Sequence, residues 1–465
     1  MIERTPIQIP GFRGDLITPE HDEYDGARAI WNGTVDRRPR VIARCSGTAD
    51  VAAAVRFARD RDLEIAVRGG GHNVAGTAVC DDGIVIDLSA MRAVSVDPVE
   101  RTALVQGGAR WGDVDHETQA HGLATTGGIV GHTGVGGLSL GGGIGWLMRK
   151  HGLSVDNLVE AEVVTAEGEI VRASANDHPD LFWALRGGGG NFGVVTSFRF
   201  ALHPVGPDVM AGPVFWAAED TTDVLRLYRE FVTDAPDELG TIIRLGTIPP
   251  LPVVDEGLHF RPAIAVASCY AGSVADGERA VRALRQFGTP LVDLVGPTRY
   301  IDHQCAIDDT VPHGWHYYWK GASLAALSDE VIDIVAEHTY DATSPRSYAA
   351  IFHLGGAVFR APREATAYSG RDVAHTMSID AVWLPEQDET VGAAETTWAR
   401  AFLDALQPHR AGVYVNFLDS DDDMSRVREA YGDDTYRLLA EVKAKYDPEN
   451  VFHNNKNIQP RTPVQ

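Results

Sequence analysis

Short apolar runs alternate with longer amphipathic segments along the chain up to Phe200. Apolar residues that recur at helical spacing predict helices over 51–61 and 109–121. Short runs rich in Val, Ile and Leu predict strands at 63–67, 84–88, 103–106, 160–165, 169–172 and 194–200. Helices and strands mixed in this way, with glycine loops between them, predict an α+β domain.

A second α+β unit is predicted after the turn formed by residues 204–207, which holds two prolines and a glycine. Its predicted helices are 218–231, 277–287 and 324–338, and its predicted strands are 262–270 and 348–354. The last part of the chain is expected to return to the first unit. The predicted organisation is therefore one domain over 1–206, a second over 207–417, and a C-terminal return over 418–465.

Glycine is concentrated in three loops of the first unit, at 68–76, 126–146 and 185–196. Glycine has no Cβ, so such loops can approach a ligand closely, and their consecutive N–H groups form a concavity that suits phosphate oxygens. No Lys-Ser or Lys-Thr pair follows any run, which excludes a P-loop. Ser139 stands where a dinucleotide fingerprint needs its last glycine, which argues against a Rossmann NAD site. The loops favour a backbone cradle for one extended ligand.

These segments, with the C-terminal stretch 445–458, resemble the FAD-linked oxidases of the vanillyl-alcohol-oxidase superfamily. Within it the chain is similar to the berberine-bridge-enzyme-like branch, which includes 6-hydroxy-D-nicotine oxidase and oxidases of sugars and secondary metabolites. The resemblance covers nearly the whole chain and is weakest in the middle, where substrate is chosen. It implies an FAD-binding domain of two subdomains and a substrate domain whose antiparallel sheet covers the flavin ring.

The resemblance implies that FAD is attached covalently through His72, which matches the histidine that such enzymes couple to the 8α carbon of the flavin. Val130 stands where many members carry a cysteine for a second link, so a single link is expected. Thr133 falls where the family varies a residue that lines the access of oxygen. The implied cofactor-binding residues are Arg68, Gly69, Gly70, Gly71, His72, Asn73, Gly76, Gly128, Val130, Thr133, Gly136, Gly137, Gly142, Gly145, Gly193, Val195 and Asn455.

Oxidation of an alcohol or an amine requires a base, because a proton leaves oxygen or nitrogen when a hydride leaves the carbon. Tyr414 matches a family motif whose tyrosine region supplies the proposed base in several members. Asn416, in the same motif, is a candidate to hydrogen-bond substrate or flavin. Phe417 stands where the motif often has a second tyrosine, so that hydroxyl is missing.

His353 is a third catalytic candidate, on a predicted strand just before two glycines. It aligns near the active-site carboxylates of the nicotine oxidase, which argues against the same cationic amine substrate. Trp319 and Lys320 are predicted to bind substrate, since aromatic faces suit sugars and flat rings.

The chain is strongly acidic, with 65 acidic and 41 basic residues and a net charge of −24. So large a negative charge disfavours nucleic acid and anionic membranes as partners. Lysine is almost absent, and scarce lysine with abundant acid favours a protein from a high-salt cytoplasm. The four cysteines are far apart, which predicts neither a metal site nor a disulfide framework. No leader segment or membrane span is apparent, so a cytoplasmic location is expected.

The sequence therefore predicts a flavoprotein that oxidises a small organic substrate at an alcohol or hemiacetal carbon and returns electrons to dioxygen, releasing hydrogen peroxide. Amine oxidation of the 6-hydroxynicotine type and a dehydrogenase with another acceptor remain open, as does a flavin-binding protein without turnover. Substrate identity and oligomeric state are not predicted.

Overall fold

A four-stranded sheet opens the chain in the computed structural model, which describes residues 7–461. Residues 1–6, where the sequence predicts no leader segment, lie outside this range. The sheet has the order β1-β2-β4-β3, with strands β1 (Asp15–Ile17), β2 (Val41–Arg44), β3 (Ile65–Arg68) and β4 (Ile84–Asp87). Strands β2 and β3 both pair in parallel with β4. Helix α1 (Tyr24–Arg28) precedes β2 along the chain, and helix α2 (Thr48–Arg59) connects β2 to β3.

A five-stranded antiparallel sheet follows, in the order β5-β6-β10-β8-β9. Its strands are β5 (Val94–Asp97), β6 (Thr102–Gln106), β8 (Leu158–Val164), β9 (Ile170–Ser174) and β10 (Val194–Ala201). A short pair joins β7 (Leu123–Ala124) to β11 (His203–Pro204). Helices α3 (Trp111–Gln119), α4 (Val135–Leu140), α5 (Met148–His151) and α6 (Pro179–Leu185) lie among these strands along the chain.

An eight-stranded sheet occupies the middle of the chain, in the order β15-β12-β14-β13-β18-β19-β17, with β16 paired to β12. Its strands are β12 (Asp208–Ala217), β13 (Leu239–Thr247), β14 (Pro262–Tyr270), β15 (Val292–Asp293), β16 (Gly296–Arg299), β17 (His316–Leu324), β18 (Tyr348–His353) and β19 (His375–Trp383). Every pairing in it is antiparallel.

One face of this sheet is apolar and packs against helices α7 (Thr221–Phe231), α11 (Asp329–His338) and α13 (Glu389–Ala405). Shorter helices in this part are α8 (Val274–Ala280), α9 (Arg282–Arg285), α10 (Tyr300–Gln304) and α12 (Ala357–Arg360). Side chains alternate between the two faces of a strand, so the residues between these apolar positions point to the other face. That second face lines the functional cavity.

The C-terminal helices α14 (Met424–Tyr431) and α15 (Asp433–Tyr446) share a core with the five-stranded sheet. Leu439 of α15 and Phe198 of β10 are both buried members of that core. The buried Lys443 fastens the following segment, because its ammonium donates to Asp447 and to the carbonyl oxygens of Asn191 and Phe452. The chain thus ends against its N-terminal half.

The predicted fold class is confirmed, since helices and strands are mixed and the middle sheet is antiparallel. Strand 262–270 coincides with β14, whereas the predicted helix 324–338 is shorter because β17 continues to Leu324 and α11 begins at Asp329. Among the helices of residues 7–461, none combines the length and apolar character that a membrane span needs.

Candidate active site

A large cavity of about 790 Å³ lies where the glycine loops meet the second face of the eight-stranded sheet. This volume is in the upper part of the range typical of small-molecule sites, roughly 300–1,000 Å³. Most of its lining is apolar, with a few polar side chains among glycines and aromatic rings. Such a site suits a large, partly aromatic ligand.

Two glycine loops build the cradle by touching backbone to backbone. A Cβ on Gly70 would lie 2.5 Å from both the Cα and the N of Gly134, and a Cβ on Gly134 would lie 2.4 Å from the N of Gly70. Gly71 has a φ of +67°, in the left-handed region that favours glycine. The sequence at these positions is therefore dictated by close approach, and both loops line the cavity.

His72 follows the first loop and lines the cavity between aromatic neighbours. Its ring stacks on Trp31 at 4.2 Å between ring centroids, and His132 lies 5.0 Å away. Burial, aided by His132 and His313, lowers the pKa of His72 well below its ordinary value. Among the described residues, no group hydrogen-bonds its buried Nε2. The imidazole is thus held neutral, with one nitrogen unpartnered.

The sheet makes room above the loops because its cavity face carries small residues. Four small residues, Ala265, Ala350, Ser378 and Gly321, stand in one row across the sheet, and Arg244 is the one large residue in that row. The next row along the strands contains three larger residues, Tyr348, Asp380 and Trp319, each opposite the next.

Asp380 is a carboxylate in this apolar setting, with 2% of its surface exposed. Its Oδ2 accepts a hydrogen bond from Ser378 at 2.9 Å, while its buried Oδ1 has no partner among the described residues. Burial raises the pKa of Asp380 to about 7, against the opposing effects of Ser378, Tyr348 and Arg244. Asp380 is therefore tuned to exchange a proton near neutral pH.

Tyr414 lines the cavity from the C-terminal segment, where a short turn (Val415–Phe417) follows it. Its hydroxyl oxygen accepts hydrogen bonds from the N–H of Gly143 at 2.9 Å and from the Asn416 amide at 2.7 Å. Burial nevertheless raises the pKa of Tyr414 to about 12. The side chain thus ties the glycine loop to the C-terminal segment and is poorly suited to accept a proton at neutral pH.

Most of the residues predicted for cofactor and substrate lie on the cavity. They are Gly69, Gly70, Gly71, His72, Asn73, Val130, Thr133, Gly136, Gly137, Gly193, Val195, Asn455, Tyr414, Asn416 and Trp319. The side-chain oxygen of Asn455 is buried and, in the described part of the chain, without a hydrogen bond.

Five predicted cofactor residues lie behind the lining instead. Arg68 forms a buried ion pair with Asp87 at 2.5 Å, so its charge is already used within the protein. Gly76 packs on Val35, Gly128 against Leu138 and the amide of Gln304, Gly142 on Tyr368, and Gly145 on the carbonyl of Gly127. These glycines serve the packing of the loops, and contact of these five residues with the cofactor stays a prediction.

His353 faces away from the cavity, which corrects its prediction as a catalytic residue. Tyr348, Ala350 and Phe352 of β18 line the cavity, so His353 belongs to the opposite face. The Arg149 guanidinium donates a hydrogen bond to the His353 ring at 3.3 Å, and the ring stacks on that of His375. Burial and these two neighbours lower the pKa of His353 to about 2.

Lys320 also points away from the cavity, so predicting it as a substrate contact is wrong. It neighbours Trp319 on β17 and therefore lies on the other face of the strand. With 4% of its surface exposed, it pairs with Asp421 at 2.5 Å and Asp422 at 3.1 Å.

Sequence reasoning missed Asp380, Arg244 and Tyr348, all on the cavity. A signal existed for the first two, because Asp380 and Arg244 each stand between two apolar neighbours on a strand, and charged residues are rarely buried without a partner or a role. Tyr348 carries no comparable signal.

The residues present fit an FAD. The glycine loops offer close backbone N–H groups for its diphosphate, and the apolar cavity suits the ring system. Unpartnered buried atoms on His72, Asn455 and Trp319 are left available for polar contacts.

Comparison with known proteins agrees with this fit. Residues 39–174 match the family described as FAD binding domain, and residues 413–459 match berberine and berberine-like proteins. An FAD-linked oxidoreductase of Dictyostelium discoideum is 34% identical, with 97% of this chain and 95% of that protein covered.

Two solved structures share the fold over nearly their full length. The 6-hydroxy-D-nicotine oxidase of Arthrobacter nicotinovorans is 30% identical with a TM-score of 0.85, covering 97% of this chain and 98% of that one. The xylooligosaccharide oxidase of Myceliophthora thermophila, in complex with xylobiose, is 25% identical with a TM-score of 0.83, covering 96% and 97%. The chain belongs to the berberine-bridge-enzyme-like branch of the vanillyl-alcohol-oxidase superfamily and is an FAD-dependent oxidoreductase.

Proposed function

We propose that this enzyme is an oxidase that removes a hydride from an alcohol or hemiacetal carbon of a small organic substrate, a sugar or a secondary metabolite. The observation that carries the proposal is Asp380, a buried carboxylate with an unpartnered oxygen on the cavity face of the sheet. When bound, the flavin supplies the acceptor for the hydride and passes both electrons to dioxygen, which leaves as hydrogen peroxide.

The residues of the chain supply the remaining chemistry. The carboxylate of Asp380 accepts the hydroxyl proton as the carbon loses its hydride and the C=O bond forms. Because the pKa of Asp380 is raised to about 7, a large fraction of this group is ionised at neutral pH. Phe352, Phe417 and Trp146 line the cavity and exclude water from the reacting carbon. Trp319, next to Asp380, offers an aromatic face to a sugar or a ring.

A covalent link between His72 and the flavin is part of the proposal. Only a neutral imidazole can bond to the 8α carbon, and burial keeps His72 neutral. Val130 lines the cavity where a cysteine would be needed for a second attachment, so one link is expected.

Amine oxidation is the second candidate, favoured by the nicotine oxidase relative. Arg244 lines the same cavity and would repel a cationic amine, so the alcohol is preferred.

The decisive experiment is anaerobic reduction followed by air. Purified yellow enzyme is mixed with a panel of alcohols, sugars and amines without oxygen, and bleaching identifies the substrate class. Air should then restore the colour with release of one hydrogen peroxide per flavin. Bleaching by amines alone contradicts the alcohol proposal, and recovery only with an added acceptor contradicts the oxidase.

A further inference from the structure

Arg244 projects from the middle of β13 into the cavity. Its strand neighbours are Ala265 and Ala350, whose short side chains leave space around the guanidinium. The guanidinium lies over the ring of Tyr348, 4.6 Å from the centroid, and donates a hydrogen bond to the carbonyl oxygen of Thr247. These two contacts fix the direction in which the remaining N–H donors point.

The charge of Arg244 has no close counterpart. Among the residues that the structure describes, none forms an ion pair with it, in contrast to Arg68 and Arg371, which pair with Asp87 and Asp156. Asp380 shares the cavity and attracts Arg244 only over a longer range. A guanidinium kept in an apolar cavity without an anion beside it is costly, which points to an anionic ligand.

We propose that the substrate carries a carboxylate and that Arg244 binds this group through its planar fork of N–H donors. The proposal rests on the proposed function, since it names the class of substrate that the same cavity oxidises. The carboxylate would orient the substrate so that its hydroxyl reaches Asp380.

A carboxylate fits better than a phosphate group. A guanidinium fork pairs with two oxygens of either group and so satisfies a carboxylate by itself, whereas the further oxygens and second charge of a phosphate call for additional donors. The other cavity-lining ammonium or guanidinium in the described range is Lys456, and it is already bonded to the carbonyl oxygen of Asp419. The diphosphate of FAD is accounted for by the glycine loops, which are separate from β13.

The test compares benzoate with benzamide, its neutral isostere, by calorimetric titration of the flavin-containing enzyme at pH 8 and low salt. The wild-type enzyme should bind benzoate about tenfold or more tightly than benzamide, because a charge-assisted hydrogen bond distinguishes them. Arg244→Gln should remove this preference, and Arg244→Lys should keep part of it.

The matched control is Arg261→Gln, which removes one positive charge from an exposed position near the same sheet. It should leave the preference for benzoate intact. Equal binding of benzoate and benzamide by the wild type contradicts the proposal, as does an unchanged benzoate affinity in Arg244→Gln. Since the readout is heat of binding to the flavin-containing enzyme and not turnover, an enzyme that shows this preference for benzoate but oxidises none of the tested alcohols contradicts the proposed function and not the assignment of Arg244.

Discussion

At the scale of a single residue, Asp380 connects burial to chemistry. A carboxyl group with almost no access to water holds its proton to a higher pH than a solvated one, and the place of Asp380 on the cavity lining is where the proposed substrate would meet it. Both its reactivity and its cost to stability follow from this one position.

The first prediction concerns activity. Asp380→Asn should lower kcat/KM by roughly 10²–10⁴-fold, because the variant cannot accept the hydroxyl proton. In the wild type, kcat/KM should rise with pH around pH 7 as the carboxyl ionises, and the variant should lack this rise. A variant that keeps the pH profile of the wild type contradicts the assignment of Asp380 as base.

The second prediction concerns stability. The folded-state pKa of Asp380 is about 7, above the ordinary value of 3.8, so the folded protein keeps a proton that the unfolded chain releases between these pH values. The free energy of unfolding should therefore fall as pH rises through this window, and the loss persists above pH 7. Asp380→Asn should be more stable than the wild type at pH 8, by about 2–4 kcal/mol. Urea unfolding at pH 5 and pH 8 measures this, and an equal difference at both values contradicts it.

The third prediction concerns His72. Acid-precipitated wild-type protein should stay yellow, with an FAD adduct on the peptide that contains His72. His72→Ala should release its flavin into the supernatant. His132→Ala is the control, since His132 neighbours His72, and it should keep the adduct; an adduct that survives in His72→Ala contradicts the link.

Part of this site could be predicted before the structure. The position of His72 on the cavity follows from the glycine loop that precedes it, whereas Tyr414 was predicted from the resemblance to a family motif. His353 and Lys320 were mispredicted by the phase of a strand, because adjacent residues face opposite sides and the pairing that sets the face is not local.

At the scale of elements, the glycine loops are more restrictive than the strands. Gly70 and Gly134 touch backbone to backbone, so any side chain there must push the loops apart. The fourth prediction is that Gly70→Ala loses most of its flavin, measured as absorbance per protein. Gly26→Ala is the matched control, because a Cβ there meets nothing within 4 Å, and it should keep the flavin.

The strands of the eight-stranded sheet show which elements a sequence reveals. Strand β14 is apolar along most of its length and was predicted with its observed bounds. Strands β13 and β19 were not predicted, because each mixes apolar residues with Gly, Thr, Ser or His and with one charged residue, Arg244 or Asp380. The polar residues that serve the cavity thus made the strands that carry them harder to predict from the sequence.

At the scale of the whole molecule, the net charge of −24 creates repulsion that lowers the stability of the folded protein. Arginine and the five lysines leave a large excess of carboxylates, whose repulsion salt screens to short range. The fifth prediction is that the melting temperature rises by several degrees, roughly 5–15 °C, between 0.05 and 2 M KCl. A melting temperature indifferent to salt contradicts an origin in a high-salt cytoplasm.

The two faces of the eight-stranded sheet have different roles, because one packs against helices and the other lines the cavity. One surface packs against α7, α11 and α13, while the other presents the small side chains of Ala265, Ala350 and Ser378 to the cavity. Enlarging one of these small side chains would reshape the chamber without loosening the scaffold behind it. New specificities could therefore arise here by single steps, which gives the architecture a built-in capacity for diversification.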